Sequence, residues 1–274
     1  MGNDPAVSVN IMKVIRDKTV TAEDVLASEE PMEIQLVYGD SESMTRKIIS
    51  VTMRTPGNDE ELGAGFLFTE GILNNSDQIS EIKSEGNYLR VKLKENEIPV
   101  LQNSDRNFYT TSSCGVCGKS GIEAIGTVSV FKNLKDNISI NSDLLFCLTD
   151  KLKDHQTIFE STGGLHASAL FDNEGNFLML REDVGRHNAL DKIIGSAFLN
   201  GLLPLNDKIL LLSGRASFEL IQKSVMAGIK IVAAVGAPSS LAVEMAKDSG
   251  ITLIGFLREE RFNIYSGVQR IITS

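Results

Sequence analysis

The chain has 274 residues, 42% of them hydrophobic and 23% charged, with 27 Lys and Arg against 36 Asp and Glu for a formal net charge of −9. That length supports one large domain or two modest ones, with a core large enough to need neither disulfides nor a structural metal. The composition excludes a disordered, collagen-like or coiled-coil chain, and the acidic balance argues against broad nucleic-acid binding while leaving room for a local basic pocket. Three cysteines, Cys114, Cys117 and Cys147, are too few and odd in number for a secreted disulfide framework. No stretch approaches the roughly 18 uninterrupted apolar residues of a membrane helix. Residues 1–20 lack an apolar core followed by a small-residue cleavage site. The expectation is a cytoplasmic protein away from the membrane.

In chain order, Met32 to Tyr38 and part of Lys47 to Met53 alternate apolar and polar residues around Gly39-Asp40, predicting paired strands. Asn58 is positioned to cap a helix whose first turn holds Asp59, Glu60 and Glu61 and whose Leu62, Phe66, Leu67 and Leu73 face a core. Leu89, Val91 and Leu93 alternate with charged residues in a half-buried strand. From Glu97 to Lys119 the pattern dissolves into a polar loop that carries the cysteine pair. Ser142 is the expected cap of a helix over Leu144, Leu145, Leu148 and Leu152, which would bury Cys147. His166–Phe171 and Phe177–Leu180 read as strands of a hairpin with its turn at 172–175. Helices and strands then alternate: helix 188–199, strand 208–212, helix 218–227, strand 229–235, helix 239–247, strand 251–256. No repeat or low-complexity segment is visible.

The fold class is therefore α/β (α+β overall). Nearly continuous apolar strands between helices predict a mixed or parallel sheet covered on both faces, beside a smaller, mostly antiparallel N-terminal subdomain. The expected division is an N-terminal extension over 1–30, the smaller subdomain over 31–105, the cysteine loop over 106–121 and the main domain over 122–274.

Ligands of open α/β sheets sit at the carboxyl ends of the strands, and polar, glycine-containing loops recur there: 181–188, 213–217 and 236–240. Arg181, Asp183, Arg186 and His187 lie in the first, ahead of a helix, and Ser213 and Arg215 in the second. Arginine forks and helix N-termini suit phosphate; a solvated salt-bridge cluster is the alternative. Gly163-Gly164 before His166 permits close backbone approach or exposed amides, or serves as a tight turn beside a core histidine. Arg258, Arg261, Phe262, Asn263 and Tyr265 interleave arginines with aromatics that can stack on a base, or form an ordinary surface strand. No segment matches a dinucleotide fingerprint or a P-loop.

Cys114-Gly115-Val116-Cys117 lets two sulfurs meet within one turn. The spacing serves a redox disulfide, half of a zinc site, or a persulfide carrier with a neighbouring thiol; an inert pair is also open. There is no second such pair, and the histidines are scattered at 155, 166 and 187. Gly115, Gly118 and Gly121 give the loop backbone freedom, and Lys119 favours a thiolate.

These residues resemble the FdhD family, the formate dehydrogenase accessory sulfurtransferases. The resemblance runs from about residue 32 to 270. It rests on Thr55-Pro56-Gly57 with Gly65–Gly71, on Cys114–Gly118, on Thr162–Ala167, and above all on Arg181–Lys192. Ser213–Glu219, Ala237–Ala242 and Gly255–Arg258 complete it. It implies a cytidine-deaminase-like, three-layer main domain. It further implies a sulfurtransferase that accepts persulfide sulfur from a cysteine desulfurase on Cys114, with Cys117 as relay or protecting thiol. The sulfur then passes to the molybdenum cofactor bis-molybdopterin guanine dinucleotide, bound as substrate, for formate dehydrogenase. The family's cofactor segment maps to Phe262, Asn263, Ile264, Tyr265, Ser266 and Gly267. A homodimer is implied, and no metal site. Deaminases of this fold carry His-x-Glu and Pro-Cys-x-x-Cys. Here His166 is followed by Ala167 and Ser168, and Ser113 precedes Cys114. The competing readings are a cofactor chaperone without sulfur transfer and a zinc-dependent, deaminase-like hydrolase.

Overall fold

The computed structural model describes residues 4–101, 108–110, 129, 131, 134 and 138–273; Cys114 and Cys117 lie outside them. The chain opens with an antiparallel hairpin, β1 (Ala6–Ile15) and β2 (Lys18–Ala27), where the sequence suggested only an extension. Val7, Val9 and Ile11 carried the alternation, but the turn Arg16-Asp17 has no glycine to mark it, and Arg16 itself takes φ 54.

β3 (Glu30–Gly39) and β4 (Met44–Arg54) follow as the predicted antiparallel pair, then α1 (Asp59–Thr69), β5 (Ile79–Glu85) and β6 (Tyr88–Leu93). β7 (Phe108–Thr110), inside the stretch expected to be loop, adds in parallel to β4 and completes a five-stranded sheet of order β5-β6-β3-β4-β7. Asn58 does precede α1, but it sits in the left-handed region and its side chain caps nothing.

β8 (Ile140–Asn141) leads into α2 (Ser142–Phe146), α3 (Leu148–Lys153) and α4 (Thr157–Thr162). The single helix expected here breaks at Cys147, and its cap is Asn141, whose Oδ1 accepts from Asp143 N at 2.9 Å. Leu145, Leu148 and Leu152 keep their places in the core, while Cys147 at the junction is exposed, against the expectation that it is buried. The break turns it away from the leucine stripe.

β9 (His166–Phe171), β10 (Phe177–Asp183), α5 (Arg186–Leu199), β11 (Ile209–Leu212), α6 (Phe218–Met226), β12 (Ile231–Ala234), α7 (Ser240–Asp248), β13 (Thr252–Gly255) and β14 (Asn263–Ser266) form the larger unit. Its mixed six-stranded sheet has the order β10-β9-β11-β12-β13-β14, with β11, β12 and β13 parallel. The chain ends with β15 (Ile271–Ile272) beside β8. Both faces of the central strands are buried, which explains their unbroken apolar runs. Ile209, Leu211, Ile231 and Ala233 pack with Leu145, Leu148 and Leu152 on one side. Leu210, Leu212, Val232 and Ala234 pack with Leu190, Ile193 and Ile194 of α5 on the other. That second cluster continues through Leu62, Leu67 and Phe68 of α1 to Met32, Ile34, Leu36, Leu89 and Val91, so both sheets share one core.

The contact that joins them is a helix crossing without side chains between the backbones. A Cβ on Gly65 would stand 1.9 Å from the carbonyl oxygen of Asp191, and one on Gly195 1.8 Å from that of Glu61. Beside it, Lys223 Nζ reaches Asp191 Oδ2 at 2.9 Å and Thr69 Oγ1 at 2.8 Å, all buried. Burial works against the ammonium, yet the carboxylates of Asp191 and Glu70 raise the Lys223 pKa above the ordinary lysine range. Gly195→Ala must push α1 and α5 apart and is expected to cost at least about 1–3 kcal/mol of unfolding free energy in denaturant titrations. Gly164→Ala, whose Cβ would meet only ordinary contacts from 3.5 Å outward, is expected to stay within about 0.5 kcal/mol of the parent.

Candidate functional site

The carboxyl ends of β11, β12 and β13 meet along one edge of the large sheet, and three loops leave from it. They are stitched together by their backbones: Val235 N to Leu212 O at 3.0 Å, Gly236 N to Gly214 O at 2.8 Å and Phe256 N to Gly236 O at 3.1 Å. Two glycines make this possible. A Cβ on Gly236 would lie 2.9 Å from Arg215 Cα, and one on Gly214 3.2 Å from His166 Nδ1. β9 runs antiparallel to β11, so its first residue, His166, stands at the same edge. β10, antiparallel to β9, ends there too, opposite His166 at Asp183.

Between this edge and α3–α4 lies a cavity of about 640 Å³. Leu152, Phe159, Leu165, Val235 and Leu257 form apolar walls; His166, Ser213 and Arg258 supply polar groups, and Gly163 and Gly164 backbone. Thr149 also lines it, with a buried Oγ1 that has no hydrogen-bond partner among the described residues. An apolar slot with a few convergent polar groups suits a flat heterocyclic ligand. α4, which contributes Phe159, has its first amides held by Glu182: Oε2 accepts from Ile158 N at 3.1 Å and Oε1 from Phe159 N at 2.9 Å.

The segment 181–188 divides into architecture and site. Arg181 is occupied by Glu61 of α1, with Nη2 donating to Oε1 at 2.7 Å; that hydrogen bond raises its pKa, against burial. Asp183 is fully buried. Its carboxylate accepts from Gly185 N at 2.8 Å, Asn188 Nδ2 at 3.0 Å and Thr55 N at 3.2 Å, and pairs with the buried Lys192 Nζ at 2.8 Å. Arg186 is half-buried at the first turn of α5 and makes no hydrogen bond or ion pair among the described residues. Arg215, exposed after β11, is likewise without one. His187 Nε2 lies 2.8 Å from Glu219 Oε2 and 3.4 Å from Ser217 Oγ. Burial alone would raise the Glu219 pKa, but the His187 hydrogen bond, with Lys223 and Arg186, holds it below the usual range. His166 is pushed the other way. Burial first, then the charges of Arg186, His187 and Arg215, lower its pKa.

The C-terminal segment is only partly at this edge. β14 runs antiparallel to β13, with Asn263 opposite Gly255 and Ser266 opposite Leu253. Phe262, its ring tilted against that of Phe146 with centroids 5.3 Å apart, and Asn263 therefore stand by the loops. Tyr265 packs its ring against Gly255, and Ile264 faces the α2–α3 side of the core. Ser266 and Gly267 lie about 10 Å along the strand. Ser266 Oγ donates to Ile251 O at 2.7 Å, and Gly267 O accepts from Thr252 Oγ1 at 2.8 Å. The fold thus assembles Gly163, Gly164, His166 and Ser213 around the cavity, with Arg186, His187 and Arg215 alongside. Arg181, Asp183, Ser266 and Gly267 are engaged elsewhere. Sequence reasoning missed Phe159, because α4 carries no cap of its own and takes one from Glu182 on a distant strand; on α3 it missed Thr149 and read Leu152 only as core.

A histidine held neutral by its surroundings stabilises the fold fully above the ordinary histidine range. That contribution is lost as pH falls through it, since the unfolded imidazole takes up a proton that the folded one resists. His166→Gln is expected to reduce the fall in melting temperature between about pH 7 and about pH 5; an unaltered pH profile would contradict the assignment.

Comparison with known proteins gives concordant results. A family model described as the FdhD/NarQ family matches residues 27–272. A Streptomyces avermitilis protein named sulfur carrier protein FdhD is 47% identical over 270 residues, spanning 94% of this chain and 93% of the relative. Its namesake in Sulfurisphaera tokodaii is 40% identical over 265 residues, spanning 96% and 98%. A crystal structure from Desulfotalea psychrophila, described as that of a candidate formate dehydrogenase accessory protein, superposes with a TM-score of 0.74 at 23% identity over 97% of this chain and 99% of that one. That likeness bears on the fold.

Proposed function

The chain belongs to the FdhD/NarQ family of sulfur carriers, and from that premise we propose that it takes sulfur from a cysteine desulfurase as a persulfide on Cys114 and delivers it to bis-molybdopterin guanine dinucleotide for formate dehydrogenase maturation. It does so as a cytoplasmic homodimer. The loading step is an exchange with no net oxidation. The Cys114 thiolate attacks the outer sulfur of the donor's persulfide, the donor's S–S bond breaks, and the donor leaves as a thiolate. Cys114 then holds the sulfane sulfur, with the Cys117 thiol beside it as relay or protection. The near-full-length likeness to named sulfur carriers supports the sulfur half of this reading.

The cargo half rests on one observation: among the described residues Arg186 and Arg215 make no hydrogen bond or ion pair beside an apolar cavity, whereas Arg54 and Arg181 are paired with carboxylates and Arg258 donates to the carbonyls of Val235 and Leu257. The cofactor is substrate here. Arg186 and Arg215 suit its phosphates, while Leu152, Phe159 and Leu257 suit a flat ring. Phe262 and Asn263 are the members of the C-terminal segment placed to join them. His166, whose pKa burial and the neighbouring cations lower, gives the cavity a hydrogen-bonding group. The strand order β10-β9-β11-β12-β13 supports taking the unit over 122–274 as cytidine-deaminase-like, with 31–105 as the smaller subdomain fused to it. The His166-Ala167-Ser168 sequence supplies no glutamate of the deaminase His-x-Glu pattern.

Treatment with a cysteine desulfurase and cysteine is expected to add the mass of one sulfur to Cys114, in the parent and in Cys117→Ala. Cys114→Ala is expected to stay unmodified and to leave formate dehydrogenase inactive in a strain lacking this protein. Full formate dehydrogenase activity with Cys114→Ala would sink the proposal.

A further inference from the structure

The β1–β2 hairpin hydrogen-bonds to no other strand among the described residues, and β2 leans on α4. A two-stranded ribbon alone is marginally stable in water. One face nevertheless carries Val7, Ile15, Val20 and Leu26, each 45–56% exposed. The register fixes which backbone groups are spare. Ile15 pairs with Lys18 across the two-residue turn, and Ser28 N donates to Pro5 O at 2.9 Å. Lys18, Val20, Ala22 and Asp24 therefore spend their backbone groups on β1, while Thr19, Thr21 and Glu23 turn theirs to the open edge. Thr19, Thr21 and Glu23 are exposed.

We propose that this edge pairs with its own copy: β2 of one chain lies antiparallel to β2 of a second about a two-fold axis at Thr21, making a four-stranded sheet across the dimer. The proposal rests on the homodimer in the function above and says where its two chains meet. What selects a second copy is charge. Centred on Thr21, the register sets Lys18 opposite the partner's Asp24 and Asp24 opposite the partner's Lys18. Val20 falls opposite the partner's Ala22, and Thr19 opposite the partner's Glu23. The hydrogen-bonded positions of this pairing are those that the hairpin leaves free. Centring on Glu23 would oppose two like charges. The β1 edge, centred on Asn10 or Met12, sets Lys13 against an apolar residue in either case. An isologous contact of this kind closes on itself and leaves the apolar face continuous across both copies.

The test is measurement of the molar mass of the full chain over a dilution series, by light scattering or analytical ultracentrifugation. The parent is expected to be a dimer. Thr21→Pro, which removes an outward N–H and spares the ladder to β1, is expected to give a monomer with an undiminished melting temperature. Lys18→Glu and Asp24→Lys each place like charges opposite one another twice by symmetry, and each is expected to weaken the dimer about tenfold or more. The double variant Lys18→Glu/Asp24→Lys restores opposition and is expected to return to within about threefold of the parent. A monomeric parent, a dimer indifferent to Thr21→Pro or to the single reversals, or a double variant no tighter than the singles would overturn the proposal. Persulfide uptake read on the same samples keeps the two claims apart: its loss in the parent refutes the carrier reading and leaves the interface result standing.

Discussion

The backbone-to-backbone crossing of α1 and α5 is the constraint on which the other parts rest. With no Cβ at Gly65 or Gly195, each helix presses on the other's carbonyls. That closeness leaves room for little besides hydrogen-bonded charge. Lys223 threads to Asp191 and Thr69 on one flank. On the other, Lys192 bridges Thr55 O at 3.0 Å, Glu182 O at 3.2 Å and the Asp183 carboxylate. Buried ion pairs contribute little net stability compared with apolar packing, but removing one partner costs about 3–5 kcal/mol. They therefore specify one arrangement more than they strengthen it, and they fix the five-stranded sheet against the six-stranded one.

The site inherits its geometry from this arrangement. Asp183, locked between Thr55, Gly185, Asn188 and Lys192, sets where α5 begins. The start of α5 in turn sets where Arg186 and His187 stand. Glu182, one residue earlier, holds α4 and so shapes the far wall of the cavity. A short run of sequence thus anchors two helices with its acids and presents a cation beside the ligand space. The acidic total of the chain does not conflict with an anionic cargo, because the acids Glu61, Asp183 and Glu219 beside the site are engaged by Arg181, Lys192 and His187, while among the described residues Arg186 and Arg215 have no ion pair.

Much of the larger unit was legible in the sequence because its central strands β11, β12 and β13 are buried on both faces and α6 and α7 between them are amphipathic, so these elements needed no long-range information. The C-terminal edge of that sheet was also legible, from loops of polar and glycine residues after successive strands. What could not be read locally depended on partners far away in sequence. Arg181 looks like a phosphate ligand until Glu61 is placed against it. Asp183 looks available until Thr55 and Lys192 enclose it. α4 has no start signal because Glu182 provides one from β10. Cys147 looked like a core residue on one long helix, and the break between α2 and α3 turned it to solvent. The hairpin of residues 6–27 was missed for a different reason: its turn lacks glycine, and its apolar face is left exposed among the described residues.

The central claim is that the edge holding Arg186, Arg215 and the cavity receives a nucleotide-bearing cargo, while Arg181 serves the fold. Calorimetric titration of the intact protein with guanosine diphosphate tests it most directly. The account predicts one site per chain, weakened about tenfold or more by Arg215→Gln, with Arg181→Gln lowering the melting temperature and leaving affinity within about twofold. Absence of binding, or affinity lost in Arg181→Gln and kept in Arg215→Gln, would contradict it.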